Sequence, residues 1–409
     1  MRHLSHRHGM HLPCLWLYNA EKFGKDGLLY NVKGKIFTVL KSNLPEIICF
    51  ALLIFLLFLP NEYEKIKIYQ GADRTVGRVL QTDNSKLINT GLIQTGEQRC
   101  RIKILGGRFK GSEGEAVNML NGSLEQDKIF REGDMALIVV SYRNDEIKAV
   151  NMIDHFRLGK EILLMAIFVM LLILFAGRIG LRALMSFAVT VLIIWKVLVP
   201  GYLNGNDPVL TGLVITIILT VIVITAVYGF DCRALSATIG AILGTVMTAV
   251  LGIIFTKAFK IHGAVMPYSE SLLYSGYAHL NLTRIFMAGI FIGSSGAVVD
   301  LAVDITSAVC EVVGKTPDIS WRDAALSGIR VGRAALGTMT TTLLLAYSGG
   351  YVTLLMVFMA QGTPVINILN YKYVSAEILD TVVGSIGLVT VAPITSLTAA
   401  ILLTRKRKK

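Results

Sequence analysis

The sequence predicts an α-helical polytopic membrane protein of about eight transmembrane helices, with a small β-rich extracytoplasmic domain inserted after the first helix. Three observations predict it. Of 409 residues, 53% are hydrophobic and 17% charged, with a mean hydropathy of +0.60, whereas a soluble domain is roughly a quarter charged. The apolar residues gather in blocks of about 15 to 22, close to the ~20 a helix needs to cross ~30 Å of hydrocarbon. One stretch, 61–158, breaks the pattern with 15 Lys+Arg, 14 Asp+Glu and no long apolar run. A soluble enzyme, a secreted disulfide scaffold, a coiled coil and a disordered regulator are excluded together.

Residues 1–43 form a basic tail, expected to be cytoplasmic, that carries +5 of the net charge of +12; Arg405 to Lys409 carry another +5 and the rest shares +2. Charge so placed flanks membrane segments and sets their topology. It predicts the lipid bilayer, and no nucleic acid, as the partner. His3, His6, His8, His11 and Cys14 crowd the tail, either as a composition able to hold a metal or as part of an unstructured segment in which Met10 is a second candidate start. Residues 44–60 read as a signal anchor, because the basic stretch before them is too long for a cleaved leader and no small-residue cleavage site follows. The remaining cysteines, Cys49, Cys100, Cys232 and Cys310, are scattered, so neither a disulfide framework nor a CxxC site is expected.

Within 61–158, alternation over Thr75 to Leu80, Cys100 to Leu105, Ala136 to Tyr142 and Ile147 to Met152 predicts half-buried strands. Gly106-Gly107, Gly133-Asp134 and Arg143-Asn144-Asp145 supply turns. The segment is expected to be one small barrel, serving as a spacer or assembly surface, or handling a ligand.

The bundle, 159–404, follows as apolar blocks near 162–177, 181–199, 209–228, 235–256, 284–305, 335–360 and 382–404. With the anchor this makes eight crossings. Arg178, Arg182, Arg233, Lys315, Arg322, Arg330 and Arg333 then fall in cytoplasmic loops, and both termini are cytoplasmic. Lys257 and Lys260 oppose this arrangement. Two full spans at 335–347 and 351–361 would turn the tail 405–409 outward, so Gly349-Gly350 is expected to mark a broken or re-entrant segment. Non-helical backbone at that depth is buried in protein or lines a cavity.

Gly293, Gly296, Asp300, Asp304 and Ser307 share one helical face. A carboxylate in hydrocarbon costs a few kcal/mol or more, and such residues commonly mark ion or substrate paths. Asp300 and Asp304 are therefore pathway candidates, with pairing to Arg333 or Lys196 as the structural alternative. Lys196, beside Trp195, is placed to snorkel to the interface. Thr338, Thr340, Thr341 and Thr342 set four hydroxyls in five positions, suited to lining a path, satisfying backbone at a helix break, or packing helices. Glu377 and Asp380 open the last helix on the face of Gly384 and Gly387, either as path residues or as complements to the helix dipole. Pro393 is expected to kink that helix. Ser236, Gly240, Gly244, Thr248 and Gly252 recur every four residues as a packing stripe, and Gly293, Gly296, Gly384 and Gly387 are also expected to pack helices.

Enzyme signatures fail on inspection. Gly293-Ser294-Ser295-Gly296 matches the GxSG of rhomboid proteases, but the last histidine, His279, precedes it, so the base is missing. Gly296 to Asp300 lacks the GxGD spacing of aspartyl intramembrane proteases, and neither HExxH nor GxxxxGK[ST] occurs. The sequence predicts no enzyme, no catalytic residue, no metal and no cofactor.

Gly332-Arg333, Gly337 to Leu343, Ala346-Tyr347, Gly384 to Leu388, Ala392 to Thr395 and Gly296 to Asp300 resemble the YibE/F family of bacterial membrane proteins over roughly 40–404. The family pattern tends to have an acid where this chain has Ala334, and Asn where it has Thr341. The resemblance implies a multi-pass protein of the bacterial cell membrane that pairs with a shorter family member, or with itself, and names no substrate. The order of anchor, external domain, Asp-bearing helix and Thr-rich helix is also similar to the membrane half of proton-driven RND and SecF-type proteins, in which membrane aspartates carry protons. The expected function is an ion- or proton-coupled permease or exporter with Asp300, Asp304, Thr338, Thr341, Thr342, Arg333, Glu377 and Asp380 along its path. The alternative is a non-transporting scaffold acting through its external domain.

Overall fold

The computed structural model describes residues 44–61, 63, 71–144, 146–316 and 318–407. The histidine-rich tail, with its metal-binding composition, lies outside the described residues. Two compact units emerge, one of Asn61–Gly177 and one combining the chain before Asn61 with the chain from Arg178 onward. The first therefore extends past the expected limit at residue 158 to include the opening turns of a helix.

The smaller unit holds five strands: β1 (Ala72–Asn89), β2 (Gln94–Ile104), β3 (Glu113–Asn121), β4 (Met135–Arg143) and β5 (Glu146–His155). They close into a barrel in the order β1-β2-β3-β5-β4. All pairings are antiparallel except β3 with β5, where Ala116 faces Val150. This is the Greek-key connectivity of OB-type barrels. The four predicted strands lie within or overlap β1, β2, β4 and β5. Inward residues Val79, Cys100, Ile102, Ile104, Ile138 and Val140 fill the interior, with Phe130 closing one end. Burial pushes the Cys100 thiol up to about 11, which leaves it a small hydrophobe without nucleophilic character.

A polar network joins the β3–β4 connection to this core. Gln98 Nε2 donates to Asn84 Oδ1 at 2.8 Å and to the Phe130 carbonyl at 2.9 Å. Its Oε1 accepts from Phe130 N at 3.0 Å and Asn118 Nδ2 at 3.1 Å. The Asp127 carboxylate accepts from the backbone N–H groups of Asn121, Gly122 and Ser123, which hold it below the usual carboxylate range.

The helical elements are α1 (Leu44–Phe58), α2 (Leu158–Ile193), α3 (Val199–Leu203), α4 (Pro208–Tyr228), α5 (Cys232–Ala258), α6 (Ser269–Leu272), α7 (Leu282–Lys315), α8 (Trp321–Ser348), α9 (Val352–Ala360), α10 (Val365–Leu369) and α11 (Lys372–Arg407). Six stretches among the described residues are long and apolar enough to cross a membrane: Leu158–Leu203, Pro208–Tyr228, Cys232–Ala258, Leu282–Lys315, Trp321–Ala360 and Lys372–Arg405. The expected count of eight differs for two reasons. The blocks 162–177 and 181–199 share one helical element, interrupted where Gly177 takes φ 53° and ψ −126°, a conformation open to glycine. The anchor α1 has 15 residues, about 22 Å of helix.

At Gly349-Gly350 the chain tightens into a 3₁₀ turn, Gly349–Tyr351, before α9. The nine residues of α9 make about 14 Å of helix, half the hydrocarbon thickness. Pro393 lies inside α11, which stays helical through it. Its ring is on the exposed side, so the missing backbone bond is away from the packed face.

The bundle packs α11 against α5, α7 and α8. Glycines set its close approaches: a Cβ on Gly240 would overlap the Thr395 hydroxyl, one on Gly244 would overlap Val391, and one on Gly387 would overlap the Thr248 hydroxyl. Gly384 sits 3.1 Å from the Ser294 Cβ by the same measure, and Gly252 has ordinary room at 3.5 Å from Ile290. Gly296 differs from the expected packing role, because among the described residues no other helix comes within 4 Å of its Cβ position. On the α1 side, Glu46 accepts from Arg182 Nε at 2.7 Å, and Arg178 lies 3.6 Å away.

Candidate functional site

Helix α7 carries the expected stripe on one side. Gly289, Gly293, Gly296, Asp300, Asp304 and Ser307 recur every three or four residues, and all are exposed within the described chain. The opposite side, with Phe291, Val298, Leu301, Ala302 and Ile305, is fully or largely buried in the bundle. Asp300 and Asp304 stand one turn apart, within electrostatic reach of each other. Among the described residues no ion pair joins either aspartate to Arg333 or Lys196. The pairing alternative therefore does not occur, and two carboxylates stand uncompensated on a membrane-length helix.

One end of the stripe is closed by Tyr228 from α4. Its hydroxyl donates to the Val303 carbonyl at 2.5 Å and so accepts from Ser307 Oγ at 2.6 Å. The Arg233 guanidinium lies 5.2 Å over the Tyr228 ring, a cation–π contact that fixes the tyrosine.

Toward the other end, the Tyr347 hydroxyl crosses over Gly293, where a Cβ would come within 2.6 Å of it. Tyr347 is in electrostatic reach of Asp380 and Glu377. On α11, Glu377, Asp380, Thr381 and Gly384 are spaced i, i+3, i+4 and i+7, so they form one face. Gly384 packs that face against Ser294 of α7 and Leu343 of α8. Four oxygens stand out on this α11 face and on the Tyr347 side chain that is in electrostatic reach of its acids: Glu377 Oε1, Asp380 Oδ1, Thr381 Oγ1 and Tyr347 Oη. Each is buried and has no hydrogen-bond partner. Glu377 and Asp380 do not open the helix as expected: α11 starts at Lys372 and has no acid in its first turn, where the dipole effect is confined. Tyr347, Thr381 and Tyr228 were not among the expected site residues. For Thr381 the signal was its i+4 spacing from Glu377.

The threonine cluster behaves differently. Thr338 donates to the Ala335 carbonyl at 3.0 Å, Thr340 to Leu336 at 2.9 Å and Thr342 to Thr338 at 3.0 Å. These hydroxyls satisfy their own helix and form no bond to the four acids. Thr338, Thr341, Thr342 and Arg333 are all exposed on α8.

No group of three or more His, Cys, Asp or Glu that could hold a metal occurs among the described residues. Apolar membrane-length helices that carry isolated carboxylates define a membrane protein with a helical bundle. Residues 164–405 match the model of the YibE/F-like protein family; this is more than half of the chain, and the chain belongs to that family. No curated protein and no solved structure matches it.

Proposed function

We propose that this YibE/F-like protein is an ion- or proton-coupled permease or exporter of the bacterial cell membrane. The observation that carries the reading is the α7 stripe, where Asp300 and Asp304 lie unpaired on a glycine-lined face. An isolated carboxylate in hydrocarbon is tolerated when it faces water, changes protonation or meets a partner. Gly293, Gly296 and Asp300 would form a track leading from the Glu377–Asp380 junction to Asp304 and Tyr228. Eight crossings suit this path: the 46 residues of Leu158–Leu203 make about 69 Å of helix, enough for two spans with a break at Gly177. Both termini are then cytoplasmic, 61–158 is extracytoplasmic, and the exposed stripe leaves room for a shorter family member or a second copy. No enzymatic step is part of this reading.

The test uses the full chain in detergent and in proteoliposomes. Asp300→Asn should purify with unchanged thermal stability, lose the stabilisation that pH or an ion gives the wild type, and lose ion flux by more than tenfold. A variant that is simply less stable, beside a wild type that shows neither ligand response nor flux, rejects transport. That result favours the scaffold, which one observation supports: a cavity of 280 Å³ on the barrel, lined by Leu92, Leu124, Ile129 and Gln94, with Leu92 87% exposed.

A further inference from the structure

We propose that Glu377, Asp380, Thr381 and Tyr347 form a binding site for a single small monovalent cation of the sodium type. The inference deepens the permease reading, since it names the coupling ion, but the site is testable without transport.

Thr381 is the telling residue. It is 7% exposed, and its hydroxyl, a group that buried threonines in helices ordinarily bond to the carbonyl four residues back, has no partner. Ser385, one turn on, does make that bond, donating to the Thr381 carbonyl at 2.7 Å. Thr381 thus leaves its oxygen free on the face it shares with Glu377, Asp380 and Gly384.

Tyr347 adds a second free hydroxyl from the facing helix, above Gly293, where any side chain would displace it. The four oxygens make no hydrogen bond to one another. A self-contained carboxyl–hydroxyl cluster would close such bonds, so the arrangement calls for something between the oxygens. No cation of the protein is placed there, for among the described residues no ion pair reaches Glu377 or Asp380. Lys372, the nearest cation in sequence on α11, is turned over the Tyr373 ring at 5.0 Å.

The donor set selects the ion class. Oxygen-only ligands favour a hard cation over a transition metal. The two carboxylates and two hydroxyls offer six oxygens at most, the lower limit of the six to eight that calcium takes, and magnesium retains its own waters. A monovalent ion held by one or two carboxylates and two neutral hydroxyls relieves the buried negative charge.

The test is equilibrium binding of ²²Na⁺ to purified full-length protein in detergent at pH 8, with each variant first shown to elute as a single species. Wild type should bind one ion per chain, saturably. Thr381→Val keeps the side-chain shape and removes only the free hydroxyl, so it should fold at least as well without sodium, yet bind it tenfold or more weakly; Glu377→Gln should abolish binding. The remote Thr190→Val should bind as wild type does. Absence of saturable binding in folded wild type, or unchanged binding in Thr381→Val, overturns the site. Binding without flux in proteoliposomes would reject the permease and leave the site standing, whereas sodium-independent flux without binding would do the reverse.

Discussion

The core of the barrel and the α11 face of the helical bundle treat buried polar groups in opposite ways. In the barrel, the fully buried Gln98 uses both ends of its amide, and Asn118 donates to Gln98 and to the Lys128 carbonyl. In the bundle, Tyr347, Glu377, Asp380 and Thr381 bury oxygens that bond to nothing. Leaving a buried polar group unpaired costs about 1–3 kcal/mol, so a fold keeps such groups where another requirement outweighs the loss. Among the described residues Gln94 of the barrel and Glu46, Tyr202, Thr256, Arg284, Thr306 and Thr395 of the helical unit also bury an unpaired atom, but none of these sets two carboxylates on one helical face beside an unpaired hydroxyl, as Glu377, Asp380 and Thr381 do. The closed network holds a shape, and the open one is where the proposed cation site lies.

Substitutions can sharpen or break that contrast. Gly387→Leu drives a side chain into Thr248 and should have the largest effect, about 3 kcal/mol, read as loss of the folded species on size exclusion. Gln98→Ala strands the Phe130 N–H and carbonyl in the barrel and should cost about 3 kcal/mol or slightly less. Hydrogen exchange at Phe130 and its neighbours would report it, and unchanged protection there would break the comparison. Asp207→Ala should cost about 1 kcal/mol, because Asp207 caps α4 by accepting from Leu210 N and pairs with Arg284. Gly252→Ala and Gly296→Ala, where the packing leaves room, should change stability by no more than about 0.5 kcal/mol.

The smallest effect is a pH dependence at the barrel surface. Three backbone N–H groups hold the Asp127 carboxyl below its ordinary range. A depressed carboxylate contributes stability above its unfolded value, near pH 4, and loses it as the pH falls through the lower folded value. Asp127→Ala should flatten the acid limb of the barrel's unfolding profile and leave neutral pH as the point of greatest difference.

Much of this was legible in the sequence. Alternation marked β1, β2, β4 and β5, but β3 escaped because its inward positions, Ala116, Asn118 and Leu120, include an amide that looks like a surface residue until its partners are known. Apolar length marked every membrane-length helix, and the boundary drawn between the blocks 162–177 and 181–199 coincides with the non-helical Gly177, although the chain stays in one helical element there. Among the site residues, Asp300 and Asp304 announced themselves by charge in an apolar run. Thr381 could not, because an unbonded threonine reads like a bonded one. The threonines of α8 were equally ambiguous in the sequence: Thr338, Thr340 and Thr342 bond their own helix, one of the roles their spacing allowed.

The closed barrel carries a consequence for how this chain meets its neighbours. An open sheet recruits by lending its rim to a foreign strand, and in a crowded envelope the same rim also recruits unwanted company. With β1 hydrogen-bonded to β4 over Ala72 to Arg78, that part of the rim is taken up within the barrel. There a partner would have to read side chains, such as those around Leu92 and Leu124 at the loop tips, so recognition would be open to change one residue at a time while the scaffold beneath stays fixed.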